Sequence, residues 1–541
     1  MTDTQGMTNM ASEVSGAVLA PTSAPAGHGD LVEAAGYPPG QGAIKPDYDP
    51  RLTNEDLAPL KEQPWGTYNI FAFWMSDVHS VGGYITAGSL FALGLTSWQV
   101  FICLIAGIVI VQFFCNLVAK PSQQAGVPYP VTSRASFGVL GANIPAIIRG
   151  LIAVAWYGVQ TFLAAESLNI VFLKLWPGLA PYADVHQHGL LGLSYLGYLS
   201  YAILWVLQAA LFWRGMDTIR KFIDLAGPAV YVVMLVLCLY MLSKAHFHIN
   251  LNLSNKHLTG WTLVWTLCGA TAAVVAYFSG PMLNFGDFSR YAKKYSSVKK
   301  GNFLGLPINF IMFSLLTVLT AAATVPVYGQ LITDPIQTVQ KIDSTFAILL
   351  GGVTFVIATV GINIVANFIS PAFDFSHVSP QKISWRMGGM IAAVGSLLLT
   401  PWNWYDNSNA IFWTLGLLGA LIGPLFGILI ADFYLIRKQE IVVDDLFTLS
   451  PTGAYFYKRG YNPAAVMAVA SSGILSLASV IVPKLANVVT WLPQYGWFVG
   501  CGLGFAFYYV FALRANVAGS ADRRAAAAAA RSGPAVPAAE A

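Results

Sequence analysis

No Asp, Glu, Lys or Arg occurs from Val78 to Ala119, from His257 to Gly286, from Asn302 to Thr333 or from Leu485 to Leu513. A helix needs about 20 apolar residues to cross a bilayer, so each stretch holds one or two crossings. Turn residues between the apolar runs predict twelve helices, at 68–93, 98–118, 144–175, 188–212, 222–243, 261–283, 303–326, 346–370, 387–401, 409–431, 463–483 and 490–513. Two of them carry interruptions. The first reads Trp74-Met75-Ser76-Asp77-Val78-His79-Ser80-Val81-Gly82-Gly83-Tyr84 across its middle. Polar groups at that depth are costly unless they face water, protein or a ligand. The sixth reads Tyr277-Phe278-Ser279-Gly280-Pro281-Met282-Leu283-Asn284, where Pro281 removes a backbone donor and Gly280 weakens the helix before it.

Composition agrees. Of 541 residues, 56% are hydrophobic and 10% are charged, against about 25% charged in a soluble domain. That excludes a soluble enzyme, a secreted disulfide scaffold and a nucleic-acid binder. Alternate connections carry most of the Lys and Arg, and the other set holds only Lys174, Lys244, Lys256, Lys341 and Lys484. Positive residues stay inside, which puts both termini in the cytoplasm. The cluster Lys293–Lys300 reads as an orientation signal and secondarily as a contact for anionic lipid headgroups. Cys103, Cys115, Cys238, Cys268 and Cys501 all fall in expected spans without metal-ligand spacing, as small core residues.

The two interruptions open two five-helix halves about 200 residues apart, the arrangement of inverted repeats whose broken helices meet at a midplane site. The expected fold is an all-α polytopic membrane protein with this five-plus-five repeat, broken first and sixth helices and two C-terminal helices. The organisation is 1–60 as a mostly disordered cytoplasmic segment, 61–245 and 246–440 as the two repeats, 441–513 as the last two spans, and 514–541 as a disordered tail.

Five segments in order carry a family resemblance: Asn54-Glu55-Asp56-Leu57-Ala58-Pro59 before Trp65-Gly66, Trp156-Tyr157-Gly158-Val159-Gln160-Thr161, Asp287-Phe288-Ser289-Arg290-Tyr291, Ala366-Asn367, and Gly423-Pro424 with Ala431-Asp432-Phe433-Tyr434-Leu435-Ile436-Arg437-Lys438. With them the chain resembles nucleobase–cation symporter family 1, which takes up purines, pyrimidines, hydantoins, allantoin and related vitamins. The resemblance implies a planar substrate between aromatic rings, pinned by amides. That chemistry suits a flat neutral base, since rings stack on its faces and amides donate and accept along its edge. Carried over, Trp156 is one stacking wall and Gln160, one turn later, an edge partner. Phe278 stands where the family usually has its second Trp, Asn367 matches the amide of the eighth helix, and Ser80 matches a first-helix edge contact. The first-helix pattern leans to bacterial permeases for uracil and related pyrimidines, with allantoin, hydantoin and purines as alternatives.

Sodium-coupled relatives hold the ion with carbonyls matching Ser76, His79 and Ala358 and with hydroxyls at the positions of Gly361 and Ile362. Neither Gly361 nor Ile362 has a hydroxyl, so that site is degenerate and H+ is the expected coupling ion over Na+. Candidate proton carriers are Asp77, His79, Glu166 and Asp287. Structural alternatives are that Asp77 satisfies backbone freed by the break and that Asp287 pairs with Arg290. An enzyme is not expected: His-Glu-x-x-His and a P-loop are absent, and Asn284-Phe285-Gly286-Asp287 lacks the first glycine of an intramembrane aspartyl protease. No carbonyl-filter sequence speaks for a channel. The expected partners are a nucleobase-like molecule and the lipid bilayer, with no cofactor, metal or nucleic acid, and no oligomeric state follows. The expected location is the plasma (inner) membrane.

Overall fold

The computed structural model describes residues 42–214, 216–252, 256–405, 407–485 and 492–517. The twelve expected apolar segments are helical within them. The first span is two helices, Thr67–Val78 and Val81–Ser89. Spans two to five are Ser97–Ala125, Asn143–Leu175, Tyr195–Trp213 and Met216–Lys244. Spans six to ten are Gly260–Leu283, Tyr295–Tyr328, Thr345–Val378, Trp385–Ser396 and Ser408–Ile436. Pro463–Leu485 and Gly496–Arg514 complete the set. Nine of these, among the described residues, are long and apolar enough to cross a bilayer. The protein is an all-α polytopic membrane protein. The first span packs on the seventh, the second on the sixth and seventh, and the third on the eighth, while the tenth packs on the last two.

Several boundaries differ from expectation for local reasons. The fourth span begins at Tyr195, not 188, because Leu191 and Gly192 both take positive φ and turn a two-strand hairpin, Gly189–Leu190 with Leu193–Ser194. The Ser194 hydroxyl then caps the helix by accepting from the Gly197 amide. The second span runs on to Ala125, through Pro121, and stops at Gly126 with φ +67°. A short buried helix, Tyr129–Phe137, follows. The eighth span extends two turns past 370 because it widens into a π turn at Val365–Ile369 and resumes as Ser370–Val378. The sixth span continues through Gly280 and Pro281. It is thus not broken there as expected but ends at Leu283 with Asn284 as its cap, after which the chain forms the short turn Gly286–Ser289.

Residues 42–60, within the stretch expected to be disordered, lie packed along one face, with Leu52, Leu57 and Ala58 buried. Arg290 holds this strap by donating to the carbonyls of Asp56 and Ala58 at 2.9 and 3.1 Å. The buried Arg134 joins it to the rest of that face through Leu52 O, Leu446 O and His377 Nε2, all within 3.0 Å. Of the cysteines, Cys103, Cys115 and Cys238 are buried as expected, whereas Cys268 is exposed and Cys501 half-buried. The rest of the stretch, 1–41, and the tail 518–541 lie outside the described residues.

Candidate functional site

The first span breaks because His79 and Ser80 leave helical geometry (ψ 54° and 149°). Ser80 restarts it as an N-cap, its hydroxyl accepting from the Gly83 amide at 3.0 Å. Beside this break lies a cavity lined by Asp77, Ser80, Arg149, Trp156, Gln160, Tyr277, Phe278, Pro281, Ala366 and Asn367. It draws on the first, third, sixth and eighth spans. All five residues expected to touch a substrate, Ser80, Trp156, Gln160, Phe278 and Asn367, are brought to it.

Aromatic rings shape the cavity. Tyr277 meets Trp156 edge-to-face (5.3 Å between centroids, 84°) and Phe278 likewise (5.1 Å, 79°), so it links the two expected walls. Tyr405 meets Trp156 as well (5.8 Å, 65°). Amides supply the edge. Asn367 sits in the π turn and donates to Asn363 Oδ1 at 2.8 Å. Asn363 in turn donates to Gln208 Oε1, Thr161 Oγ1 and Tyr157 O. This chain fixes the amide of Asn367 from behind. Gln160 Oε1 is buried and has no hydrogen-bond partner, an acceptor left open at the cavity. The Ser80 hydroxyl, expected as an edge contact, lies 3.1 Å from the Tyr277 hydroxyl.

Gly82 allows this geometry. A Cβ there would lie 2.9 Å from Gln160 Nε2 and 3.2 Å from a Leu163 methyl carbon. Gly82→Val is therefore expected to push the Gln160 amide off its position. Loss of one good hydrogen bond is about 1 kcal/mol, so apparent KM should rise roughly fivefold or more with the protein still reaching the membrane. An unchanged KM would refute an edge role for Gln160.

The ion-coupling candidates separate. Asp77 lines the cavity, and no hydrogen bond from it to the broken backbone exists among the described residues; the Ser80 hydroxyl serves that role instead. His79 is fully buried, with Nδ1 2.9 Å from the Tyr84 hydroxyl and Nε2 3.0 Å from Asn309 Oδ1. Glu166 lies away from the cavity and accepts from Asn169 at 3.1 Å. Asp287 does not pair with Arg290. It accepts from the Tyr129 amide at 2.8 Å and from Asn284 Nδ2 at 3.1 Å, bracing the end of the sixth span. Gly361 lies buried on the eighth span. The side chains of Ser76, Ala358 and Ile362 lie outside the described residues.

Two cavity residues escaped the sequence reading. Tyr277 carries no signal among 24 tyrosines. Arg149 reads as one more inside-facing cation, yet it is 1% exposed. It donates to Gly280 O at 3.3 Å and to Asn284 Oδ1 at 3.1 and 3.2 Å, with Nη1 unpartnered. A cation buried within an apolar span, next to the break it serves, is the signal that was available.

A family model described as permeases for cytosine/purines, uracil, thiamine and allantoin matches residues 58–500. The allantoin permease of Bacillus subtilis is 33% identical over 85% of this chain and 93% of its own length. The purine-uracil permease NCS1 of Arabidopsis thaliana is 32% identical over 81% of this chain and 73% of its own. The fold matches that of Mhp1, a nucleobase–cation symport 1 family transporter solved closed with bromovinylhydantoin bound, at TM-score 0.66 and 22% identity over 89% of this chain and 99% of that one. The inward-facing form of Mhp1 gives 0.68 over 86% and 95%. These relatives are permeases, not enzymes. With the matched segments, the all-α membrane fold and the cavity beside the broken first span in agreement, the chain belongs to the nucleobase–cation symporter family.

Proposed function

We propose that the chain imports a small, flat, uncharged heterocycle with adjoining N–H and C=O groups, in symport with a proton. The observation that carries this is the open acceptor Gln160 Oε1 buried in a cavity walled by Trp156 and Phe278. A ring N–H satisfies that oxygen, the aromatic walls take the ring faces, and the braced amide of Asn367 meets the opposite edge. Uracil and related pyrimidines are the first candidates. Allantoin is the second reading, favoured by the name of the Bacillus subtilis relative; hydantoins and purines share the same groups. Proton coupling is supported by the lack of side-chain oxygen in Gly361 and Ile362 and by Asp77 at the cavity wall. The distribution of Lys and Arg supports both termini cytoplasmic, and the plasma (inner) membrane is the proposed location.

Radiolabelled uracil uptake in a transport-deficient bacterium tests the reading, with sodium present or replaced, with and without a protonophore, and against unlabelled allantoin, hydantoin and purines. The expected result is uptake that survives sodium replacement and collapses with the protonophore. Strict sodium dependence at fixed membrane potential would overturn proton coupling. Competition by allantoin without uracil uptake would move the substrate to the second reading.

A further inference from the structure

Asp374 lies on the last helical stretch of the eighth span, about two turns beyond Asn367, outside the cavity. It is fully buried, and neither carboxylate oxygen has a hydrogen-bond partner. The charged groups within electrostatic reach are Arg149 of the third span and Asp287 after the sixth. Tyr129, whose buried hydroxyl also lacks a partner, is in reach from the short helix. One turn on, His377 accepts from Arg134, and on the ninth span Arg386 stays exposed. Arg149 and Asp374 are thus opposite charges within electrostatic reach but not paired: Arg149 is engaged with Gly280 O and Asn284, at the end of the sixth span, and its Nη1 is open.

An ionised carboxylate at Asp374 has neither solvent nor donor here, and that lack costs a charged group far more than it costs the neutral acid. The described conformation therefore suits the proton-loaded form. Departure of the proton leaves a buried anion whose counter-ion is Arg149. Pairing through the open Nη1 shifts the Arg149 guanidinium, which itself lines the cavity with Phe278 and Pro281, against its bonds to Gly280 and Asn284. We propose that Asp374 is the proton-binding site of the transport cycle, and that Arg149 is the positioning residue that carries its charge state to the substrate cavity. This rests on the proton-symport reading above. The proton enters on Asp374 with substrate bound and leaves to the cytoplasm as Arg149 takes its place beside the carboxylate. Because coupling is reciprocal, a proton that favours the substrate-holding state must itself be favoured by substrate.

The test uses the full chain in proteoliposomes, with radiolabelled uracil or allantoin, whichever accumulates in cells. Wild-type binding is expected to tighten as pH falls, by up to about tenfold per pH unit for one linked proton. Asp374→Asn should bind at the wild-type low-pH affinity at every pH, exchange labelled for unlabelled substrate, and lose proton-driven accumulation. Asp374→Glu should restore part of it. Asp374→Asn that accumulates with the wild-type pH profile would overturn the proposal and leave symport intact. Loss of binding in both variants would mark a structural carboxyl and overturn it too. Wild-type uptake driven by sodium, with binding indifferent to pH, would overturn the symport reading itself and the proposal with it.

Discussion

Trp156→Ala is expected to reduce uptake by about two orders of magnitude while the protein still reaches the membrane. Stacking of a base on an aromatic side chain is worth about 1–3 kcal/mol by alanine substitution, and the upper end corresponds to roughly a hundredfold in affinity. The upper end applies because the indole is 7% exposed and held by Tyr277 and Tyr405, both meeting it edge-to-face. A pre-set wall loses little entropy when the substrate arrives. Trp156→Phe keeps a π-face on the same helix and should retain much of the uptake. Radiolabelled uptake normalised to membrane-inserted protein separates the outcomes. Normal uptake by Trp156→Ala would remove the stacking model; a fall matched by loss of inserted protein would mean the ring serves packing alone.

The parts of this cavity anticipated from the sequence came by two routes: the polar break in the first span from the residues themselves, and Trp156, Gln160, Phe278 and Asn367 from the family resemblance. Ser80 and Asp77 lie in the interrupted first span, and Gln160 follows Trp156 by one turn on the third. The sixth span was expected to break at Gly280-Pro281, but it is one continuous helix, Gly260–Leu283. Pro281 removes one intrahelical donor, yet the helix runs through it and is capped at Asn284. Asp374 was hidden for a related reason. The eighth helix was expected to end at 370, which would have put Asp374 in a loop, but the π turn at Val365–Ile369 carries the helix on to Val378. Such single-turn widenings recur at functional sites, and nothing in residue spacing announces one. Arg149 was hidden because counting charges for orientation treats every cation as solvated.

The Asp432–Arg437 pair at the end of the tenth span gives the largest expected effect on stability. Both side chains are buried, at 1% and 6% exposure, with Arg437 Nε donating to Asp432 Oδ2 at 2.7 Å. Asp432 also accepts from Ser136 at 2.8 Å and from Tyr508 of the twelfth span at 2.5 Å. Arg437 reaches the Ala135 carbonyl at 2.6 Å and the Tyr457 hydroxyl. One ion pair thus ties the tenth span to the short helix Tyr129–Phe137 and to the last span. Removing one partner of a buried pair leaves an uncompensated charge and costs about 3–5 kcal/mol. Asp432→Asn is therefore expected to lower the thermal midpoint of detergent-solubilised protein sharply, read by intrinsic fluorescence and by the monodisperse fraction on gel filtration. Asp432→Asn combined with Arg437→Met removes the stranded cation and should recover much of that loss, since a buried pair replaced as a unit is often nearly neutral. A single variant as stable as wild type would show that the strut carries no load. A double variant as unstable as the single one would assign the stability to the Ser136 and Tyr508 hydrogen bonds and not to the charges.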